Sequence, residues 1–335
     1  MNDVPKKHRR WPVFVLPIVF LIAIIAYSAY WHILAKELHK GALAWIDDQR
    51  AAGYDMSYAS TKMSGYPWRF RLDVETPAIK DPNTGWDWAG EKLTLVMQTY
   101  NFSHVISYLP GKHVLTAPDE TKYEMDLEGA QGSFRWNDEN VQRVSLVARS
   151  VVMNAPDGIY EIQGPNFHMS PMPGATEDMR IQTGFDKILL PRERADAPWL
   201  GREIGPVAAP IAVKHGMTVL SVSGKPKDII SALDPSVITP LTEINWGPLK
   251  VKAKTAGITI DSKNRPEGVL QLRLENIPAL RRALNDAGQL DQESQAVLAL
   301  AEGMMQSETA FVPITFKDGK AKFAFQDLGE VGPIF

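Results

Sequence analysis

The sequence predicts a mainly β protein of the α+β class: long antiparallel strands behind one N-terminal transmembrane helix, with a few short helices including a C-terminal helical hairpin. Three observations predict it. Residues 11–31 carry no charge. Beyond them, short segments alternate apolar and polar residues with a period of two, the mark of half-buried strands. Helical periodicity is confined to a few places. A doubly wound parallel sheet would show continuous apolar runs alternating with long helices, which this chain lacks.

Composition sets the outer bounds. The 335 residues include 36 Lys and Arg against 39 Asp and Glu, 44% hydrophobic residues and no Cys. That apolar share supports a core, and a net charge of -3 leaves no basic excess for a nucleic-acid backbone. The absence of Cys excludes disulfides, iron–sulfur clusters, a thiol nucleophile and Cys-ligated zinc.

The first element is the anchor, carried by Trp11, Val13, Phe20, Ile24 and Trp31 within an almost wholly aliphatic run. A helix of this length covers the roughly 30 Å hydrocarbon layer of a bilayer. Lys6, Lys7, Arg9 and Arg10 precede it, which places residues 1–10 in the cytoplasm, and Tyr27, Tyr30 and Trp31 suit the far headgroup belt. A cleaved signal peptide is the competing reading, since Ala26 and Ser28 are small residues at suitable spacing. A buried core helix is a third. The charge counts of 36 and 39 fall to 32 and 38 once Lys6, Lys7, Arg9, Arg10 and Asp3 are set aside. An acidic body of this kind contacts lipid through apolar surfaces rather than a basic patch.

A stalk helix over 32–53 follows, with Ile33, Leu34, Leu38, Leu43 and Ile46 as its stripe and Gly53 as its stop. The body then spans 54–335. Its most regular strand sets Trp68, Phe70, Leu72 and Val74 against Arg69, Arg71, Asp73 and Glu75. Alternation returns at Leu93, Leu95 and Met97; at Tyr123, Met125 and Leu127; at Leu249, Val251 and Ala253; at Leu270, Leu272 and Leu274; and at Phe323 and Phe325. Residues 164–174 and 191–210 are rich in Pro and Gly and read as surface connections, the second marking an internal boundary. Helices are expected over 228–233, 277–288 and 291–305, the last two forming the hairpin, with Leu280, Leu284, Val297, Leu298 and Ala301 inward and Asp291 as a cap. A loose strand–turn–short-helix repeat is suggested at 105–109, 229–233 and 280–284.

The run Ser64-Gly65-Tyr66-Pro67-Trp68-Arg69-Phe70, the later Trp246-Gly247-Pro248-Leu249 and the segments around Gly257, Ile260-Asp261 and Pro266-Glu267-Gly268 resemble the domain-of-unknown-function family numbered 2125. With the anchor and the helical hairpin, the resemblance covers about residues 10 to 330. It implies an alphaproteobacterial inner-membrane protein with a periplasmic body and no assigned activity. The layout also resembles AsmA-like envelope proteins, a weaker likeness that implies a β-groove handling phospholipid. Both motifs have a structural account as well: Gly65 and Pro67 set a turn whose aromatic pair caps a sheet, and Pro248 opens a strand where no ladder donor is needed.

Catalytic spacings are missing. The seven histidines form no short metal-ligand motif, and there is no nucleophile elbow, P-loop or dinucleotide fingerprint. Asp81 to Asp87 places oxygens at alternate positions, yet Lys92 stands where a calcium loop needs glutamate, so a hairpin turn is expected. No cofactor is expected. Three functional classes remain. In the first, a noncatalytic membrane-anchored envelope protein holds a phospholipid or other amphiphile in an apolar groove that includes Trp68, Phe70, Leu72, Leu270, Leu272 and Leu274. In the second, the body is a scaffold for envelope proteins. The third, an enzyme with a scattered site, is the least supported.

Overall fold

The computed structural model describes residues 12–137, 140–192, 198–218, 237–261, 263, 265–305, 307, 310–323 and 326–332. One helix, α1 (Pro12–Ala51), runs without interruption through both the expected span and the expected stalk. Its 40 residues extend about 60 Å at 1.5 Å per residue. Before Tyr27 it stands clear of the body: Leu16, Ile18, Val19, Phe20, Leu21, Ile22 and Ile25 are all more than half exposed. That stretch is long and apolar enough to cross a membrane. Contact with the body begins at Tyr27 and deepens at Trp31 and Ala35, both 5% exposed. Leu34 and Leu38 join this packed stripe, whereas Ile33 points away at 65% exposure. The chain leaves the helix at Gly53, whose φ of 100° suits a residue without Cβ.

The body is a meander of long strands, each broken once at the same level. The first joins β1 (Asp55–Ser57) to β2 (Ser60–Ser64), and the next joins β3 (Arg69–Glu75) to β4 (Ala78–Lys80). Then follow β5 (Asp87–Gly90) with β6 (Lys92–Gln98), β7 (Asn101–Tyr108) with β8 (Gly111–Thr116), and β9 (Lys122–Glu128) with β10 (Gln131–Asn137). The series continues with β11 (Asn140–Val147) and β12 (Ser150–Ala155), β13 (Gly158–Gln163) and β14 (Asn166–Met172), and β15 (Ala175–Phe185) and β16 (Lys187–Leu189).

Because every strand breaks at one level, the sheet has two arms meeting at a crease. One arm orders β2, β3, β6, β7, β10, β11, β14 and β15; the other orders β1, β4, β5, β8, β9, β12, β13 and β16. All pairings are antiparallel. Backbone hydrogen bonds continue the ladder across the crease, among them Thr76 N to Glu91 O, Leu109 N to Ala130 O and Gly164 N to Arg149 O. These bonds satisfy groups that a bend would otherwise strand.

β17 (Glu203–Val213) closes the creased series by pairing with both β15 and β16. It passes the sheet on to β18 (Val237–Trp246), β19 (Leu249–Ile260) and β20 (Pro266–Glu275). Helices α2 (Ile277–Asp286) and α3 (Gln292–Met304) form the predicted hairpin, and the Asp291 carboxylate accepts from Ser294 N at 2.7 Å as its cap. β21 (Val312–Lys317), β22 (Lys320–Phe323) and β23 (Gln326–Glu330) finish the sheet.

Two proline-rich segments differ from expectation. Residues 164–174 contain β14 rather than a loop: Pro165 lies at the crease and Pro173-Gly174 makes the hairpin turn. Within 191–210, residues from Glu203 onward are the strand β17. Its register to β18 slips between Ile204 and Val207 and again between Ala208 and Ala212, around Pro206 and Pro210, so the strand absorbs prolines where donors are missing. Val105 to Tyr108 is likewise strand, not short helix, because it pairs on both sides with β6 and β10. The expected helix at 228–233 lies outside the described residues.

Candidate functional site

The register of the first arm lines up one residue from each strand. Phe70 stands opposite Met97, and the chain of partners continues through Val105, Phe134, Val144, Met169 and Ile181 to Ile211. All eight are apolar. The adjacent row on the other face reads Arg71, Val96, Ile106, Ser133, Ser145, His168, Gln182 and Pro210, five of them polar. Seven inter-strand steps of about 4.8 Å make the apolar row roughly 34 Å long.

The second arm has its own apolar face. Gly111, Leu127, Val151, Ile162, Ile188 and Ile204 are successive partners there. The two apolar faces look at each other. Leu127, Ile162 and Ile188 from this arm and Leu146, Phe167 and Phe185 from the first line one open cleft of about 400 Å³ along the crease. That volume lies in the ~300–1,000 Å³ range of small-molecule sites, with a lining that offers few hydrogen bonds. The apolar surface remains partly wet, Leu146 of the cleft at 44% and Phe134 of the row at 37% exposure.

Both ends of the groove are covered. At the near end Leu38 and Ala42 of α1 lie over Met63, Phe70, Leu72, Leu95 and Val105 around a cavity of about 140 Å³. The Trp31 ring stacks on Phe70, and its indole N–H donates to Arg69 O at 3.2 Å. At the far end Met169, Ile181 and Ile211 pack with Met179, Val213 and Met217, and beyond them α2 and α3 bury Ile277, Leu280, Leu298, Ala301 and Phe323 against the last strands.

The outer face is charged. Arg71, Asp73, Lys92 and Glu75 form a network there, and Glu128 pairs with Arg149. Partial burial raises the Asp73 pKa, but the Thr94 hydroxyl and Arg71 outweigh it and hold the carboxyl below its ordinary value. Exposed pairs of this sort contribute little stability, about 0–1 kcal/mol each. Their consequence is to mark which face meets water.

The predicted groove residues fall in three places. Phe70 and Leu72 lie at the near end beneath α1. Leu270, Leu272 and Leu274 pack on the closed cluster under the helical hairpin rather than along the open cleft. Trp68 precedes the strand and stands 78% exposed. Of the residues expected to form the anchor, Phe20 and Ile24 are exposed on the free part of α1, Trp31 is buried against the sheet, Val13 lies in the first turn of the helix and Trp11 lies outside the described residues.

Sequence reasoning missed the cleft walls and His113. His113 is 1% exposed, stacks on Trp88 at 5.6 Å, and neither ring nitrogen makes a hydrogen bond. Burial pushes its pKa below the ordinary histidine value, against the opposing pull of the Leu109 and Pro110 carbonyls and the Glu91 and Asp126 carboxylates. Gly90 makes room for it, since a Cβ there would sit 2.6 Å from Nδ1. The Asp81 loop is the expected hairpin turn, its carboxylate accepting from Asn83 N and the Thr84 hydroxyl. Among the described residues no three His, Asp or Glu gather as a metal-binding group.

Residues 31–331 match a family described as uncharacterized protein conserved in bacteria, DUF2125. No curated protein and no solved structure matches the chain.

Proposed function

The chain belongs to the bacterial family DUF2125, and we propose that it is a membrane-anchored, noncatalytic envelope protein that holds the acyl part of a phospholipid or similar amphiphile along its creased sheet. α1 crosses the inner membrane with residues 1–10 in the cytoplasm and the body in the periplasm. The anchor is retained rather than cleaved. Tyr27 and Ser28, beside any signal-peptidase site, hydrogen-bond to the body through Pro67 O and the Tyr66 hydroxyl.

One observation carries the lipid reading: the open cleft along the crease, where Leu146, Phe167 and Phe185 of the first arm face Leu127, Ile162 and Ile188 of the second. A closed core would bury those faces against each other, whereas Leu146 and Phe134 stay accessible. The row's length of roughly 34 Å exceeds half a bilayer's ~30 Å hydrocarbon core, which is the reach of one extended acyl chain.

The test is to extract the full chain in mild detergent, purify it, and quantify bound lipid by mass spectrometry. Stoichiometric phospholipid that survives delipidating washes supports the proposal. A folded protein carrying none points instead to an envelope scaffold.

A further inference from the structure

The aromatic side chains beside α1 face solvent where the helix leaves its apolar stretch. Trp68 and Tyr100 are 78% and 77% exposed, and Tyr66 and Phe102 are 46% and 40% exposed. Tyr66, Trp68 and Tyr100 occupy two neighbouring tips of the first arm, the turn 65–68 and the hairpin turn 99–100, and Phe102 lies at the start of β7 beside the second. Neither tip carries a charge from Ser64 to Trp68 or from Thr99 to Ser103. Exposed aromatics without charge are costly in water and favourable at a headgroup boundary.

The height of these tips is fixed by the anchor. The Tyr27 hydroxyl donates to Pro67 O at 2.5 Å, Ser28 meets the Tyr66 hydroxyl at 2.6 Å, and His32 stacks on the Tyr66 ring. If the span ends at Trp31, Tyr27 lies four residues, or about 6 Å, inside that end. Pro67 and its neighbour Trp68 are therefore held at the depth where interfacial side chains sit, about 5–10 Å into the headgroup and acyl boundary.

Beside Tyr100 the outer face is basic. A recess of about 540 Å³ begins at Asn101 and Ser103 and is lined by Arg135, Arg143 and Arg180 together with Trp136. Arg135 stands directly opposite Arg143, an arrangement that destabilises a strand pair unless an anion answers it. Among the described residues no carboxylate lines this recess; Asp138 and Glu139, in the turn between Arg135 and Arg143, lie outside them. The body as a whole is acidic, so this recess is a local exception suited to phosphate, which guanidinium binds bidentately.

We propose that this rim docks on the membrane that α1 crosses: Trp68 and Tyr100 enter the outer headgroup layer, and Arg135, Arg143 and Arg180 hold anionic phospholipid headgroups of the same leaflet. The proposal rests on the anchored reading above and adds to it the orientation of the sheet, whose apolar row begins at this rim with Phe70. The covered near end of the groove then lies beside the headgroups of that leaflet.

The absence of native Cys allows clean single-site labels. Nitroxides are attached in the full chain at Phe20→Cys, Trp68→Cys, Tyr100→Cys and, as a control on the outer face of the second arm, Glu161→Cys. The proteins are reconstituted in phosphatidylcholine–phosphatidylglycerol vesicles, and relaxation by oxygen is compared with relaxation by a water-soluble nickel chelate. Labels at 68 and 100 are expected to show an oxygen-to-nickel ratio several-fold above that at 161. Equal ratios at 68, 100 and 161 overturn the rim, and an aqueous label at 20 overturns the anchor and the rim together.

The arginines are tested in a Leu146→Asp background, which removes lipid held in the cleft. Phosphatidylglycerol enrichment over the bulk mixture is expected to vanish when Arg135, Arg143 and Arg180 are all changed to Gln. Unchanged enrichment overturns their role. Depth at 68 and 100 is measured without reference to the cleft, so failure of the rim and failure of the groove give different results.

Discussion

Trp31 stacks on Phe70 with ring centroids 5.4 Å apart and planes inclined by 19°, and this contact joins α1 to the first residue of the apolar row. Both side chains are 5% exposed or less. Trp31→Ala therefore leaves a cavity at the junction and strips the Arg69 carbonyl of its indole donor. The expected loss is about 3–5 kcal/mol, read from urea unfolding of the full chain in detergent. Trp68→Ala, at the exposed residue just before β3, is expected to shift stability by less than about 0.5 kcal/mol in the same assay. Equal effects at the two tryptophans would remove the junction from the account.

Gly65 controls the shape of the rim. Its φ is 106°, and a Cβ there would lie 2.5 Å from the backbone oxygen of Arg69, which cannot swing aside as a side chain could. Gly65→Ala is expected to destabilise by roughly 1–3 kcal/mol and to displace the 65–68 turn from Tyr27. Tyrosine-specific near-ultraviolet circular dichroism, compared with the unfolding midpoint, checks both parts.

His113 should make stability depend on pH near neutrality. Burial lowers its folded pKa below the ordinary 6.5. The unfolded chain thus binds a proton that the folded chain refuses, and stability present above that value is lost as pH falls through it. His113→Met removes the titrating ring and two unpartnered nitrogens while filling the same apolar place. The urea midpoint of the wild type is expected to fall between pH 7.5 and 5.5 relative to that of the variant, with the gap smallest at the alkaline end. Parallel curves would show that the ring finds a partner when protonated.

Much of the fold was legible because half-buried strands announce themselves locally. The alternation of Phe70, Leu72 and Val74 against charged neighbours gives β3, and the Asp291 cap with Leu298 and Ala301 gives α3. The crease was not legible, since it depends on where each strand breaks relative to its neighbours. Pro165 and Pro206 read as loop residues in isolation, yet one lies at the crease and the other at a register slip. The site was hidden for the same reason. Phe134 sits between Ser133 and Arg135, and Val105 beside Ile106, so neither strand alone identifies an apolar row. Only the pairing of Val105 with Phe134 and of Phe134 with Val144 does so.

That difference between local pattern and register predicts opposite outcomes for two leucines. Leu146 lines the open cleft at 44% exposure, so an aspartate there keeps its carboxylate hydrated and the fold intact while placing a charge in the path of an acyl chain. Leu272 alternates more clearly in sequence but packs, partly buried, on the cluster closed by α2 and α3, where an unpaired carboxylate is held against apolar side chains. Leu146→Asp is expected to unfold within about 1 kcal/mol of wild type and to lose most of its co-purified lipid. Leu272→Asp is expected to lose at least about 3 kcal/mol or to fail to fold. Mass spectrometry of extracted lipid and urea unfolding on the same samples separate the two effects. A folded Leu146→Asp protein that retains its lipid would place the ligand elsewhere than the crease, because no acyl chain can lie against that wall without desolvating the new charge.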